Sequence, residues 1–349
     1  MTLKAPFAWF GGKSRAAPLI WERFGEVDNY IEPFAGSLAV LLGAPRIASL
    51  ETVNDADGFI CNFWRALAKA PEELEKHADW PVNENDLHAR HVWLVEQRAD
   101  LTARLEGDPE FYDPKIAGWW VWGISMWIGT GWCSGEGAWV RKDGVLQKVD
   151  KKQRIQGVTR QLPEISTTGR GVHRKLVNLW NGSGVHRKLV NLGNGCGVHR
   201  KLVNLGNDLN SDHEFMKLAA RLRDVRVCCG DWTRVCGPTV TTRHGITGIL
   251  LDPPYSDEDR TPGCYTVDSG TISRDVRDWA VSVGDNQMLR IALCGYEGEH
   301  QMPDDWECVE WTAVGGYGGQ RKDGKNLNKY RERIWFSPHC LKARQLKMF

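Results

Sequence analysis

The chain has 349 residues, enough for one large domain or two smaller ones with an ample core. Lys and Arg number 45 against 44 Asp and Glu, a formal net charge of +1, which gives the chain as a whole no polyanion-binding signature. No apolar run approaches a membrane span and no apolar leader follows Met1, so we expect a soluble cytoplasmic protein with no membrane partner. The 10 cysteines form no CxxC pair and no zinc-type spacing with histidine, so we expect reduced thiols and no metal.

Charge is distributed unevenly along the chain. Residues 51–113 contain 15 acids and 6 bases, whereas residues 139–205 contain 14 bases and 3 acids. This asymmetry predicts a basic surface confined to one region.

An aromatic and glycine-rich segment opens the chain at residues 7–14. Gly11 and Gly12 allow a ligand to approach the backbone closely, and Lys13 can neutralise a carboxylate. The GxxxxGK[ST] spacing of a phosphate-binding loop is missing. The segment is otherwise interpreted as an ordinary glycine turn before a helix predicted over residues 14–24.

Two predicted strands follow, each ending in polar or small residues. Residues 30–37 form a strand that runs into a turn at Gly36, before helical residues 38–42; this order is typical of a cofactor cradle in a doubly wound sheet. Residues 47–53 form a second strand that ends at Asn54 and Asp55. Asp55 is placed either to accept hydrogen bonds from ribose hydroxyls or to cap a helix predicted over residues 57–68.

The acidic residues 71–113 are predicted to form amphipathic helices, to which we assign no catalytic or binding role. Six of the 17 tryptophans then fall within residues 119–139. Clustered tryptophans are more often structural than base-stacking, so we expect most of them in the core. Trp132 and Trp139 lie in Gly-rich surroundings, and we expect these two to be exposed and able to contact DNA.

A tandem repeat is the least usual feature of the sequence. Nine residues, GVHRKLVNL, recur from Gly171, Gly184 and Gly197 with a period of 13, which is too short for a common solenoid and indicates duplication. Residues 169–207 contain seven Lys or Arg and no acid. The segment is either a phosphate-binding loop or a solvated surface insert. We favour a combination in which the first copy docks on DNA through Arg170, His173, Arg174 and Lys175, and the other copies are tolerated inserts.

Two more strands are predicted to end in functional residues. After a helix at 212–222, residues 225–229 lead into Gly230, Asp231 and Trp232, where Asp231 is either a ligand contact or a turn residue. The apolar residues 249–251 end abruptly at a DPPY tetrapeptide, residues 252–255, whose prolines prevent further strand pairing.

The DPPY residues suit a flat ring that carries an exocyclic amine. The Asp252 carboxylate and the Pro253 carbonyl are two acceptors for the two hydrogens of an amino group. Pro254 stiffens the turn, and Tyr255 offers a face for stacking, as in sites that read an extruded base. A chance turn after a strand is the alternative.

The remaining residues predict a mobile lid at 262–269, a helix at 277–283 and a strand at 288–294. A terminal strand pair is predicted at 307–314 and 331–336. It flanks a Gly-rich loop at 315–319.

The order of these motifs resembles the Dam-like (D12 class) DNA adenine-N6 methyltransferases, here of the orphan phage or prophage type. The resemblance implies a doubly wound, Rossmann-like α/β sheet with a terminal antiparallel hairpin. It divides the chain into a catalytic domain at 1–68 and 212–349 and an inserted, mainly helical and loop target-recognition region at 69–211. Leu38 departs from the family pattern, because it stands where a second glycine is common.

The resemblance also implies S-adenosylmethionine as cofactor, with Trp9 and Lys13 at its methionine end and Asp231 and Trp232 at its adenine. The residues implied to bind the cofactor are Trp9, Phe10, Gly11, Gly12, Lys13, Glu32, Pro33, Phe34, Gly36, Asn54, Asp55, Asp231, Trp232 and Asp252. The implied catalytic residues are Asp252, Pro253, Pro254 and Tyr255.

The implied substrate is adenine in double-stranded DNA, modified by a monomer or weak dimer. A cytosine-N4 or RNA methyltransferase would use the same cofactor site and remains an alternative. A DNA-binding relative that has lost activity is a third hypothesis, which the intact DPPY, Lys13 and Asp55 disfavour.

Overall fold

The computed structural model describes residues 3–7, 9, 11–127, 131–134, 139–142, 145–148, 214–255, 271–312 and 330–342. The predicted repeat at 171–207, lid at 262–269 and loop at 315–319 lie outside the described residues.

The described residues form an α/β arrangement. The helices are α1 (Ala17–Phe24), α2 (Ala39–Leu42), α3 (Gly58–Lys69), α4 (Pro71–Ala78), α5 (Glu84–Gly107), α6 (Pro114–Met126), α7 (Glu214–Leu222), α8 (Pro238–Thr241) and α9 (Ile272–Val283). The strands are β1 (Asn29–Glu32), β2 (Leu50–Asp55), β3 (Trp139–Lys142), β4 (Val145–Lys148), β5 (Val225–Cys229), β6 (Thr247–Leu251), β7 (Leu289–Tyr296), β8 (Glu307–Glu310) and β9 (Glu332–Phe336). A 3₁₀ turn spans Trp232–Val235.

Seven strands form one sheet in the order β5-β2-β1-β6-β7-β9-β8, and β3 and β4 form a separate antiparallel pair. The strands from β5 to β7 are parallel, while β9 runs antiparallel to both β7 and β8. Every residue of β1 and β6 is buried, as expected for strands covered on both faces. The predicted Rossmann-like α/β fold and its terminal antiparallel strand pair are therefore confirmed.

The strand order reverses between β1 and β6. From β1 the chain continues outward through β2 to β5, and it then returns to place β6 and β7 on the other side of β1. In open parallel sheets, ligands bind outside the carboxyl ends of the strands at such a switch point.

Several predicted boundaries were wrong. α1 begins at Ala17, not at residue 14, with a proline in its first turn, where a missing N–H costs no hydrogen bond. β2 begins at Leu50, where pairing with Asn29 starts, and Ile47 is 69% exposed outside the sheet. α9 begins earlier than predicted, at residue 272, and β8 ends earlier, at residue 310.

Helices α4 to α6 pack against α3 and against one another. Most of their buried apolar side chains belong to the same hydrophobic cluster as residues of the central sheet, whereas Trp122 and Met126 form a separate small cluster. The prediction of a mainly helical segment after residue 69 is confirmed for residues 71–126, whereas its role in target recognition stays a prediction.

The prediction that clustered tryptophans form core is confirmed for Trp120 and Trp122, which are 2% and 1% exposed. The prediction that Trp132 is exposed is wrong. Its side chain is 9% exposed, and its indole N–H donates to the carbonyl of Trp120 at 3.0 Å. Gly123 makes this possible, because a side chain there would occupy the space that the Trp132 ring fills. Trp132 therefore offers little exposed surface to a DNA base.

Within the described ranges, no helix has the length and apolar character needed to cross a bilayer. The eight cysteines among the described residues are free thiols.

Candidate functional site

A cleft lies at the switch point, at the carboxyl ends of β1, β2, β5 and β6. The structure brings together there nearly all the residues predicted to bind the cofactor, although they come from five separate segments. The predicted residues that line the cleft are Trp9, Gly11, Gly12, Lys13, Glu32, Pro33, Phe34, Gly36, Asn54, Asp55, Asp231, Trp232, Asp252 and Pro254. Phe10 lies outside the described residues. Pro253 and Tyr255 are buried and do not line the cleft.

The turn after β1 approaches the N-terminal segment closely. Gly36 has a φ of +45°, and a Cβ at this position would lie 2.7 Å from the Trp9 indole. The Gly36 carbonyl also accepts a hydrogen bond from the indole N–H of Trp64 at 2.9 Å. Glycine at this position therefore serves both the backbone conformation and the contact between two walls of the cleft.

Leu38 adopts the left-handed conformation that a glycine would adopt without strain, with φ +52° and ψ +28°. Its side chain is fully buried. The turn keeps its shape without a second glycine, at the cost of backbone strain in a non-glycine residue.

Asp55 and Asn54 tie the ends of neighbouring strands together. The Asp55 carboxylate accepts hydrogen bonds from the backbone N–H of Gly36 at 3.0 Å and from that of Asp57 at 2.9 Å. Asp55 therefore does not cap α3; Asp57 does so, accepting from the backbone N–H of Phe59. Burial raises the pKa of Asp55 to about 7, although both backbone N–H groups oppose that shift.

The amide of Asn54 is buried and donates to the carbonyls of Pro33 and Gly230, at 3.1 and 2.9 Å. Its side-chain oxygen has no hydrogen-bond partner among the described residues. A buried acceptor without a partner is costly, so this oxygen is suited to a donor supplied by a ligand in the cleft.

Asp231 lies at the end of β5 and is exposed. Its carboxylate accepts from the backbone N–H of Thr233 at 2.9 Å and so caps the 3₁₀ turn. Trp232 is buried and stacks on Phe34, with ring centroids 6.5 Å apart. The interpretation of Asp231 as a turn residue is correct, and the side chain nevertheless lines the cleft.

Lys13 and Asp252 form an ion pair across the cleft floor. The Lys13 Nζ lies 2.8 Å from the Asp252 Oδ1, and it also donates to the Gly11 carbonyl at 2.9 Å. The Lys13 side chain is 3% exposed and that of Asp252 is 21% exposed. Burial alone lowers the pKa of Lys13, but the surrounding acidic groups, Asp252 first, more than offset this and raise it. Lys13 thus already neutralises a carboxylate of the chain itself.

Tyr255 is buried behind the cleft. Its hydroxyl donates to the Glu332 Oε2 at 2.9 Å and lies 3.3 Å from the Asp252 Oδ1, while its ring packs edge-on against Tyr296. In this position the ring does not line the cleft, and its stacking on a base stays a prediction. Burial, together with Asp252 and Glu332, raises the pKa of the Tyr255 hydroxyl, which therefore stays protonated as a donor.

Two buried glutamates accompany this group. Burial raises the pKa of Glu32 to about 8, against the hydrogen bond that the Tyr30 hydroxyl donates at 3.0 Å. Burial also raises the pKa of Glu332. The positive charge of Lys13 opposes this rise, and the negative charge of Asp252 adds to it.

Sequence reasoning did not identify Glu332 as a site residue. The feature that could have identified Glu332 is an acidic residue in β9, a strand whose residues are all buried.

The residues predicted to contact DNA are only partly described. Arg170, His173, Arg174 and Lys175 lie outside the described residues. Trp139 belongs to β3, opposite Lys148, but its side chain is not described. Among the described residues, no group of three or more His, Cys, Asp or Glu side chains is arranged to hold a metal ion.

Comparison with known proteins adds one family. The model of the D12 class N6 adenine-specific DNA methyltransferases matches residues 9–104. This segment contains the N-terminal glycines, the Gly36 turn and the end of β2, all of which line the cleft. The match confirms the predicted resemblance to Dam-like enzymes and indicates an adenine-specific DNA methyltransferase. A search of curated proteins finds no significant match.

Proposed function

We propose that this adenine-specific DNA methyltransferase transfers a methyl group from S-adenosylmethionine to the N6 amine of an adenine that has left a short duplex sequence. The observation that carries the proposal is the single cleft that joins residues of the family-matched segment to Asp252 and Pro254. This cleft supports the proposal because the residues that we propose to bind the cofactor line it together with two residues of the DPPY turn.

The cleft suits S-adenosylmethionine in three respects. The Gly36 turn lets the Trp9 indole pack closely at the cleft wall, the Asn54 oxygen is a buried acceptor without a partner among the described residues, and Asp55 lies at the end of β2, where ribose hydroxyls are bound in folds of this type. When bound, this cofactor supplies an electrophilic methyl group on a sulfonium.

The base site is formed by the DPPY turn. The Asp252 carboxylate and the Pro253 carbonyl accept the two hydrogens of the adenine amine, while the Tyr255 hydroxyl stays bonded to Glu332 beside Asp252. Extrusion of the base costs a few kcal/mol of unstacking. The two hydrogen bonds draw the nitrogen lone pair out of conjugation with the ring.

The reaction is a direct displacement in which an N–C bond forms as the S–C bond breaks. The amine becomes cationic, and the Asp252 charge stabilises it. Holding both reactants in line supplies much of the acceleration. The nitrogen then loses a proton to solvent, leaving N6-methyladenine and S-adenosylhomocysteine.

We further propose that the basic segment at 139–205 positions the enzyme on the phosphate backbone. Lys and Arg contacts to phosphates fix register and orientation without reading sequence. Neutralising the basic residues of one repeat copy should weaken DNA binding and reduce its salt dependence, without changing cofactor affinity.

The test is methyl transfer from labelled S-adenosylmethionine to unmethylated duplex DNA, followed by digestion to nucleosides. Label in N6-methyldeoxyadenosine supports the proposal. Label in N4-methyldeoxycytidine, or transfer to RNA alone, would contradict it in favour of the related amino-methyltransferases. Cofactor binding without label in any nucleoside would point to a relative that has lost activity.

A further inference from the structure

Glu332 holds the last residue of the DPPY turn. It lies on β9, is 5% exposed, and accepts the Tyr255 hydroxyl at 2.9 Å across 77 residues of chain. β9 pairs with β7, so the carboxylate is attached to the rigid sheet rather than to a loop.

The two oxygens of Asp252 differ in their surroundings. Oδ1 is held by the Lys13 Nζ at 2.8 Å and by the Tyr255 hydroxyl at 3.3 Å. Oδ2 has no hydrogen-bond partner among the described residues. One oxygen is therefore fixed by the chain, while the other remains able to accept a hydrogen bond from a ligand.

The Tyr255 hydroxyl has a single proton to share between two carboxylates. The shorter distance belongs to Glu332, so this bond determines where the phenol oxygen lies, and the phenol in turn lies against Asp252. Lys13 contacts the same group from the other side, 5.2 Å from the centre of the Tyr255 ring. Lys13, Asp252, Tyr255 and Glu332 thus form one connected set.

A buried carboxylate is costly unless hydrogen bonds and a nearby cation compensate it. Glu332 has both, from Tyr255 and Lys13. We propose that Glu332 is a positioning residue for methyl transfer: acting through Tyr255 and together with Lys13, it fixes Asp252 so that Oδ2 receives the amine of the target base. This inference rests on the proposed function.

The experiment is a double-mutant cycle on kcat and on KM for DNA. Glu332→Leu removes the acceptor at similar volume, Glu332→Gln keeps an acceptor without the charge, and Tyr255→Phe removes only the hydroxyl. We expect Glu332→Leu to lower kcat about 10- to 100-fold, the size of loss that small misplacements cause. Cofactor affinity and KM should change little, and Glu332→Gln should restore most of kcat.

The decisive result is the double variant. If Glu332 acts through the Tyr255 hydroxyl, Glu332→Leu should cost no further activity in the Tyr255→Phe background. Glu51→Gln is the matched control, because Glu51 is buried on β2 but is paired with Arg221. Any fall in kcat that it causes should combine independently with the fall caused by Tyr255→Phe, so that the double variant shows the product of the two factors.

Independent, multiplicative losses for Glu332 and Tyr255, or a loss confined to KM, would overturn the positioning role while leaving adenine methylation intact. Absence of methyl transfer by the wild-type protein would overturn both proposals. Should Glu332→Leu fail to fold, the same cycle with Glu332→Met, which also removes the acceptor, decides, since coupled effects support the role and multiplicative effects oppose it.

Discussion

Replacing Glu32 with glutamine should stabilise the protein at alkaline pH and have little effect at acidic pH. Glu32 ends β1, is 4% exposed, and has a pKa of about 8 because burial disfavours its charge. Glutamine keeps an oxygen that can accept the Tyr30 hydroxyl but has no proton to lose.

The size of the effect follows from linkage. The ordinary pKa of a glutamate is 4.5, so between that pH and about 8 the folded protein holds a proton that the unfolded chain has released. Stability of the wild-type protein therefore falls as pH rises through this window. At about 1.4 kcal/mol for each pKa unit, ionised Glu32 costs on the order of 3–5 kcal/mol at pH 8.

The assay is urea unfolding of wild type and Glu32→Gln from pH 5 to pH 8, with equal m-values as the condition for comparison. The difference in unfolding free energy should be near zero at pH 5 and grow towards pH 8. Part of the wild-type slope should persist in the variant, because Asp55 has a pKa raised in the same direction.

Glu307→Gln is the control. Hydrogen bonds from Arg23 lower the pKa of Glu307, so the stability that this carboxylate contributes is already present at pH 5. Glu307→Gln should therefore lower the free energy of unfolding by the same amount at every pH from 5 to 8. A constant offset for Glu32→Gln as well would refute the reasoning.

Two other substitutions test the turn after β1. Leu38→Gly should destabilise the protein. It relieves about 1–2 kcal/mol of left-handed strain but loses roughly 2–5 kcal/mol with the buried leucine side chain. A variant that is more stable than wild type in denaturant unfolding would contradict this. Gly36→Ala should weaken S-adenosylmethionine binding at least about tenfold, or 1.4 kcal/mol, by displacing Trp9. In calorimetry, Gly298→Ala is its control, since Gly298 also has a positive φ but has no neighbour within 4 Å of an added Cβ; equal losses in both variants would reject the steric explanation.

The cleft could be predicted because its residues lie at the ends of strands. Asp55 ends β2, Asp231 and Asp252 closely follow β5 and β6, and the carboxyl ends of parallel strands meet at one edge of the sheet. Local sequence therefore determines both the strand and the position of the acid that follows it.

The pairings inside the site could not be predicted in this way. Lys13 and Asp252 are far apart in sequence, and the DPPY turn contains no sign that Tyr255 donates to Glu332. The Tyr255–Glu332 contact depends on how β9 is placed beside β7, which no local pattern determines. Similarly, the burial of Trp132 depends on space left by Gly123 on a different element, although its own Gly-rich surroundings suggested exposure.

The central claim is that the Asp252 carboxylate is required for methyl transfer to adenine, while most residues proposed to bind S-adenosylmethionine come from other segments of the cleft. The most direct measurement is the rate of transfer to adenine by Asp252→Ala at saturating cofactor, with cofactor affinity of the folded variant measured in parallel. We expect turnover to be abolished and cofactor affinity to remain largely intact. Turnover within tenfold of the wild-type rate would contradict the claim.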